Sequence, residues 1–143
     1  MSALPAGYEV TCDQSRIDAT AAHAYLTRSY WAAGIPVETV LRSIANSICV
    51  GAFFKSRQVG FARVVSDRAT FAYLADVYVL EPHRGLGLSH ALLAAVDKHP
   101  ELQGLRRWAL FTQDAQALYR QHGWTEYPHP ERMMVRDDPL VYQ

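Results

Sequence analysis

Residues 76–93 read Asp76-Val77-Tyr78-Val79-Leu80-Glu81-Pro82-His83-Arg84-Gly85-Leu86-Gly87-Leu88-Ser89-His90-Ala91-Leu92-Leu93. An apolar strand pattern runs into a proline-containing turn, an arginine and two glycines follow, and a helical pattern begins. That order builds an anion site. The first N–H groups of a helix have no intrahelical acceptor, and the helix dipole favours negative charge beside them. Gly85 and Gly87 let the backbone approach a phosphate closely. Arg84 adds a planar donor that is always charged. The chemistry expected here is the holding of a phosphate-bearing cofactor between a strand and a helix.

Three readings of the glycine stretch compete. A P-loop requires a Gly-Lys pair, and the chain contains none. A dinucleotide fingerprint requires a third glycine where this chain has His90. The third reading is Arg-x-x-Gly-x-Ala/Gly, present as Arg84-Gly85-Leu86-Gly87-Leu88-Ser89 with the small Ser89 at its last position. This segment resembles motif A of the GNAT superfamily of acetyl-CoA-dependent N-acetyltransferases. A second stretch, Ala115-Gln116-Ala117-Leu118-Tyr119-Arg120-Gln121-His122-Gly123-Trp124, resembles the family's motif B. There a short helix carries a tyrosine and ends at glycine before an aromatic residue. Both motifs stand in the family's order, and with their strands they cover roughly the C-terminal half. Thr112 stands where the family often has asparagine, so hydrogen bonding to the pantetheine arm falls to Asp114 or is lost.

The resemblance implies acetyl transfer from acetyl-CoA to an amine by direct attack in a ternary complex, with no metal. It lays the pantetheine arm along the backbone of Val77, Tyr78 and Val79 like an added strand. Arg84, Gly85, Leu86, Gly87, Leu88 and Ser89 then face the phosphates. Tyr119 is the expected general acid, because a phenol keeps its proton at neutral pH and can hand it to a thiolate. Glu81 and Asp76, at or near the strand end, are the candidate bases, each through a water. Tyr30, Trp31 and Tyr73 are the expected acceptor-pocket residues. Tyr30-Trp31 follows the first helix, where the resemblance puts substrate-facing loops, and packing between helices is the competing explanation. His122 reads as a surface histidine at a helix end, and His83 as a phosphate contact or a turn residue.

These residues need a scaffold. Tyr8 to Cys12 reads as a strand and Arg16 to Arg28 as a helix, capped by Asp13 or Ser15. Val37, Val40, Leu41 and Ile44 form one apolar stripe behind Pro36. Ser47–Phe54 and Gln58–Val65 read as a hairpin around Lys55-Ser56-Arg57, and Thr70–Val79 as a longer strand. The motif A helix should stop near His99-Pro100. Arg107–Phe111 reads as a strand, Asp114 and Gly123 as caps of the motif B helix, and Trp124–Tyr127 and Arg132–Val135 as the final strands. The expectation is one α/β (mixed) domain over residues 1–143, GNAT-like: a central, mostly antiparallel, twisted sheet of six to seven strands flanked by about four helices.

Bulk properties narrow the partners. Fourteen Lys and Arg balance fourteen Asp and Glu, so no electrostatic footprint for nucleic acid or for an anionic membrane is expected. A neutral chain also gives no sign of affinity for basic protein tails, which ranks a small-molecule amine above a protein or peptide acceptor. A CoA-binding sensor or interaction module without turnover is the alternative, and a homodimer through the final strands stays open. Cys12 and Cys49 are too few for a disulfide framework or a zinc cluster. Reduced thiols, and a Met1–Pro5 start without a basic region or long apolar core, lead to the expectation of a cytoplasmic protein.

Overall fold

In the computed structural model, which describes residues 3–143, the β patterns pair in chain order. Strands β1 (Tyr8–Thr11), β2 (Ile48–Phe54), β3 (Arg57–Ser66) and β4 (Phe71–Val79) are antiparallel neighbours. Strand β5 (Arg107–Ala109) joins parallel to β4. The β2–β3 hairpin turns at Lys55 and Ser56, both with positive φ, the geometry that matches the twist of the flanking strands. Asp67 accepts backbone hydrogen bonds from Ala69, Thr70 and Phe71 and so ties off the β3–β4 turn. These bonds hold its carboxyl well below the usual range.

Helices cover both faces of the sheet. Helix α3 (Leu88–Lys98) places Leu88, Leu92, Leu93 and Val96 against Val50, Val59, Val64 and Leu74. Helices α1 (Ala19–Leu26) and α2 (Val37–Ala45) bury Ala22, Leu26, Val40 and Ile44 with Phe61 and Tyr78 on the other face. Val37 and Leu41 of the expected α2 stripe stay exposed, since only Val40 and Ile44 reach the sheet. The first helix starts later than its pattern suggests. Asp13 caps a short 3-10 turn, and Asp18 caps α1 by accepting from the Ala21 N–H. The fourth helix, α4 (Gln116–Arg120), starts at Ala115, whose N–H donates to Thr112 Oγ1, so Asp114 is not its cap.

The sheet has five strands among the described residues, not six or seven. Trp124–Tyr127 and Arg132–Val135 do not pair. The Trp124 N–H is committed to the Tyr119 carbonyl at 3.2 Å, and its ring packs on Trp108 and Tyr119. Pro128 and Pro130 then remove two donors that a ladder would need. Residues 128–141 run exposed, with Met134 94% accessible. No helix among the described residues is long and apolar enough to cross a membrane.

Two local features shape one edge of this sheet. First, among the described residues β5 pairs only with Phe71, Ala72 and Tyr73, and the outer edge of β4 from Leu74 to Val79 has no neighbouring strand. Second, the β3–β4 register slips between Phe61↔Tyr78 and Arg63↔Ala75, which sets both Asp76 and Val77 against Ala62. Asp76 takes φ +58° in this bulge. A bulge of this kind bends its strand and re-aims the groups beside it.

Candidate active site

The free edge of β4 leads through Leu80 into the glycine loop. Gly85 and Gly87 adopt φ +78° and +87°, where side chains are disfavoured, and nothing lies within 4 Å of the position a Cβ would take on either. Gly87 is the residue before α3, and the amides of Leu88, Ser89 and His90 open that helix without intrahelical acceptors. Val79, His83, Arg84, Gly85, Gly87, Leu88, Ser89, His90 and Leu118 line a cavity of about 330 Å³ there. Arg84 Nε donates to the Val79 carbonyl at 2.8 Å, so the guanidinium both faces the cavity and pins the strand end. His83 is held in the turn by the Tyr8 hydroxyl at 2.6 Å. Tyr78 stacks on Tyr25 at 4.1 Å, and burial pushes its hydroxyl up to about 12. A larger cavity of about 820 Å³ lies between β5, α4 and residues 123–134, where the final strands were expected.

Helix α4 contributes Leu118 to the loop cavity and Tyr119 to the larger one. Burial pushes the Tyr119 hydroxyl up to about 12, with the Tyr30 and Asp114 charges adding to the effect. Asp114 itself is exposed. Tyr30 reaches the same region, because its hydroxyl accepts from the Gln113 N–H at 3.0 Å.

Asp76 is fully engaged. Trp31 Nε1 donates to one carboxylate oxygen at 2.8 Å and Arg63 Nε to the other at 2.7 Å. Arg63 Nη1 donates to Ser47 Oγ, which in turn donates to the Ser43 carbonyl. This chain ties the bulge to α2, β3 and the loop after α1. A left-handed aspartate costs roughly 1–2 kcal/mol, and its charged bonds offset that. Asp76→Ala would leave Arg63 unpaired with only 17% of its side chain exposed. We expect a loss of about 3 kcal/mol, read as a lower urea midpoint. An unchanged midpoint would mean that Asp76 does not brace the fold.

Glu81 lies elsewhere, exposed beyond Leu80 at the glycine-loop end of β4. It shares no hydrogen bond or ion pair with Asp76 or Tyr119 among the described residues. The fold thus brings Tyr30, Trp31, Tyr73 and Asp76 together, gathers Val79 with Arg84, Gly85, Gly87, Leu88 and Ser89, leaves Leu86 exposed outside that cavity, and leaves Glu81 apart from the first group. Sequence reasoning missed Arg63, Ser47, Tyr25 and Phe111. Arg63 carried a signal, since a charge inside an apolar strand must find a partner. His122 also has a partner the sequence does not announce: its Nε2 lies 2.8 Å from His90 Nδ1, linking α3 to the end of α4.

The profile of the Acetyltransferase (GNAT) domain matches residues 45–126, more than half of the chain. The chain belongs to the GNAT acetyltransferases. A GNAT-family protein of Xanthomonas campestris pv. campestris, provisionally assigned as an acetyltransferase and known from a crystal structure, is 48% identical. The match covers 98% of this chain and 99% of that one, with a TM-score of 0.93. A Gibberella zeae protein, also provisionally assigned as an acetyltransferase, is 30% identical over 135 residues, 78% of this chain and 75% of its own length. A Deinococcus radiodurans protein with the same provisional assignment shares the fold at 19% identity, with a TM-score of 0.74 over 96% of this chain and 92% of that one. The GNAT match spans the bulged β4, the glycine loop and the motif B helix.

Proposed function

We propose that this GNAT domain moves the acetyl group of acetyl-CoA onto the primary amine of a small molecule, with both reactants bound together. The observation that carries the reading is the unpaired β4 edge from Leu74 to Val79 running directly into the glycine loop. The residues fit the cofactor. Left-handed glycines with open space above them admit phosphate oxygens, and the α3 N-terminus supplies donors and dipole. The backbone groups of Val77 and the Val79 N–H are available to the amides of the pantetheine arm, while the Val79 carbonyl is held by Arg84 Nε. When bound, acetyl-CoA supplies an activated acyl group on a thiol that can leave.

The glycine loop would hold the phosphates and the open β4 edge the pantetheine arm. The re-aimed amide at Val77 or Tyr78 would then be the donor to the thioester carbonyl. Tyr119 stands opposite and donates its O–H proton to the departing sulfur; burial keeps that proton in place at neutral pH. Glu81 is at the phosphate end and is the poorer base. Asp76 is at the acyl end but braces the bulge with both oxygens. We therefore assign Asp76 to positioning, and the amine arrives as its free base or loses its proton to water. Thiol release from acetyl-CoA across an amine panel tests the reading. Turnover with one amine is the expected result. Binding of acetyl-CoA without turnover in any amine would favour a CoA-binding module.

A further inference from the structure

Helix α3 is fixed to the sheet by Leu88, Leu92, Leu93 and Val96, all buried. His90 stands in its first turn and lines the loop cavity. The His90 amide is one of the N–H groups that open the helix without an intrahelical acceptor. Helix α4 is held far less firmly. It has five residues, none of them buried, and a helix that short does not keep its shape alone in water. Apart from His90–His122, the hydrogen bonds that involve a side chain at residues 115–123 stay within residues 112–126 among the described residues.

That one bond is well formed. His90 Nδ1 lies 2.8 Å from His122 Nε2, and the two rings stack at 5.1 Å with their planes 26° apart. One facing nitrogen carries the proton and the other accepts it. From His122 the connection runs into the residue assigned as the acid. The His122 N–H donates to the Tyr119 carbonyl at 2.9 Å. The same carbonyl accepts from the Trp124 N–H at 3.2 Å, and the Trp124 ring packs on that of Tyr119 at 6.1 Å. Two hydrogen bonds therefore join the first turn of α3 to the backbone of Tyr119.

We infer that His90 and His122 form a latch that positions Tyr119 for proton transfer to the leaving sulfur. A proton donor must sit within hydrogen-bond reach of its acceptor, and a small misplacement costs rate steeply. The packed helix α3 supplies the fixed point that the short α4 lacks, and the histidine pair carries it across. His122 lines the larger cavity and not the loop cavity, so it acts through Tyr119 and is a positioning residue. This rests on the transferase reading above and adds the residues that set the geometry of its acid.

The test compares two substitutions at one position. His122→Phe keeps a ring to stack on His90 and removes the nitrogen. His122→Gln gives up the ring and returns a hydrogen-bonding atom near the same place. With an amine that turns over, His122→Phe should lower kcat about tenfold and leave the acetyl-CoA Kd within about twofold, while His122→Gln should stay within about threefold of wild-type kcat. In a Tyr119→Phe background, His122→Phe should cost no further rate, because its effect runs through the lost proton. Labelling the tyrosines with ¹³C reads the same geometry without turnover. His122→Phe should move the Tyr119 ring resonance, which the Trp124 ring shifts, and His122→Gln should hold it near its wild-type position. His90→Ala opens the same bond from the α3 side and should move that resonance in the same direction. An unmoved Tyr119 resonance in His122→Phe and His90→Ala, or an undiminished rate loss in the Tyr119→Phe background, would overturn the latch. Absence of turnover with every amine in the unaltered protein would overturn the transferase reading instead, and the resonance would still decide whether the latch places Tyr119.

Discussion

Tyr119→Phe lowers kcat about a hundredfold or more and leaves the acetyl-CoA dissociation constant within about twofold. The substitution removes one oxygen from a ring whose packing against Trp124 does not use it. What is lost is the proton for the leaving sulfur, needed only as the C–S bond breaks. Burial raises the Tyr119 hydroxyl from about 10 to about 12, and the sign of the pH dependence follows. The acid form persists across the neutral and mildly alkaline range, so the wild-type rate rises with pH as the amine loses its proton. No descending limb from Tyr119 appears until pH approaches about 12. The same shift contributes stability that is fully present below about pH 10 and is lost as pH rises through about 12. Steady-state kinetics against pH on both proteins checks this. A descending wild-type limb near pH 8 that Tyr119→Phe abolishes would assign the acid a different ionisation and contradict the burial argument.

Gly87→Val weakens acetyl-CoA binding by about a hundredfold. A β-branched side chain at φ +87° carries roughly 1–2 kcal/mol of backbone strain, and its methyls enter the space a phosphate would take. Gly104 provides the control. It also has positive φ (+71°) and open surroundings, but it lies between α3 and β5, away from the loop cavity. Gly104→Val should therefore match Gly87→Val in lost stability and retain acetyl-CoA affinity. Calorimetry with acetyl-CoA, alongside thermal melts, separates the two effects. Equal loss of affinity in both variants would mean that Gly87 matters only through folding.

The fold was legible wherever local pattern and tertiary pairing agree. The strand-to-helix passage at Val79–Leu88 could be read because proline, arginine and two glycines each do a local job there. The hairpin at Lys55-Ser56 and the stop of α3 at His99 were legible for the same reason. The final strands were misread because Trp124–Tyr127 and Arg132–Val135 have strand composition but no partner within the chain, and pairing is not a property of a segment. The cap of α1 was misplaced because Asp13 and Asp18 are equally good caps, and only packing of Ala22 and Leu26 decides between them.

Within the site, the glycine loop was readable from spacing, and Tyr119 from its place in a motif. Asp76 was picked out as a chemical group at the strand end. Its engagement by Trp31 and Arg63 depends on contacts 45 and 13 residues away. The bulge that gives Asp76 its φ leaves no mark in the alternation of β4. Phe111 was missed because it becomes meaningful only where its ring meets that of Tyr73.

The central claim is that the free edge of β4 and the glycine loop form one cofactor site. Titration of acetyl-CoA into ¹⁵N-labelled protein, followed by backbone amide shifts, tests it most directly. The account predicts saturable shifts at Val77 and Val79 and at Gly85, Gly87 and Ser89, with little change along residues 124–134. Shifts centred on the larger cavity between β5 and α4, or no saturable shifts at all, would contradict it.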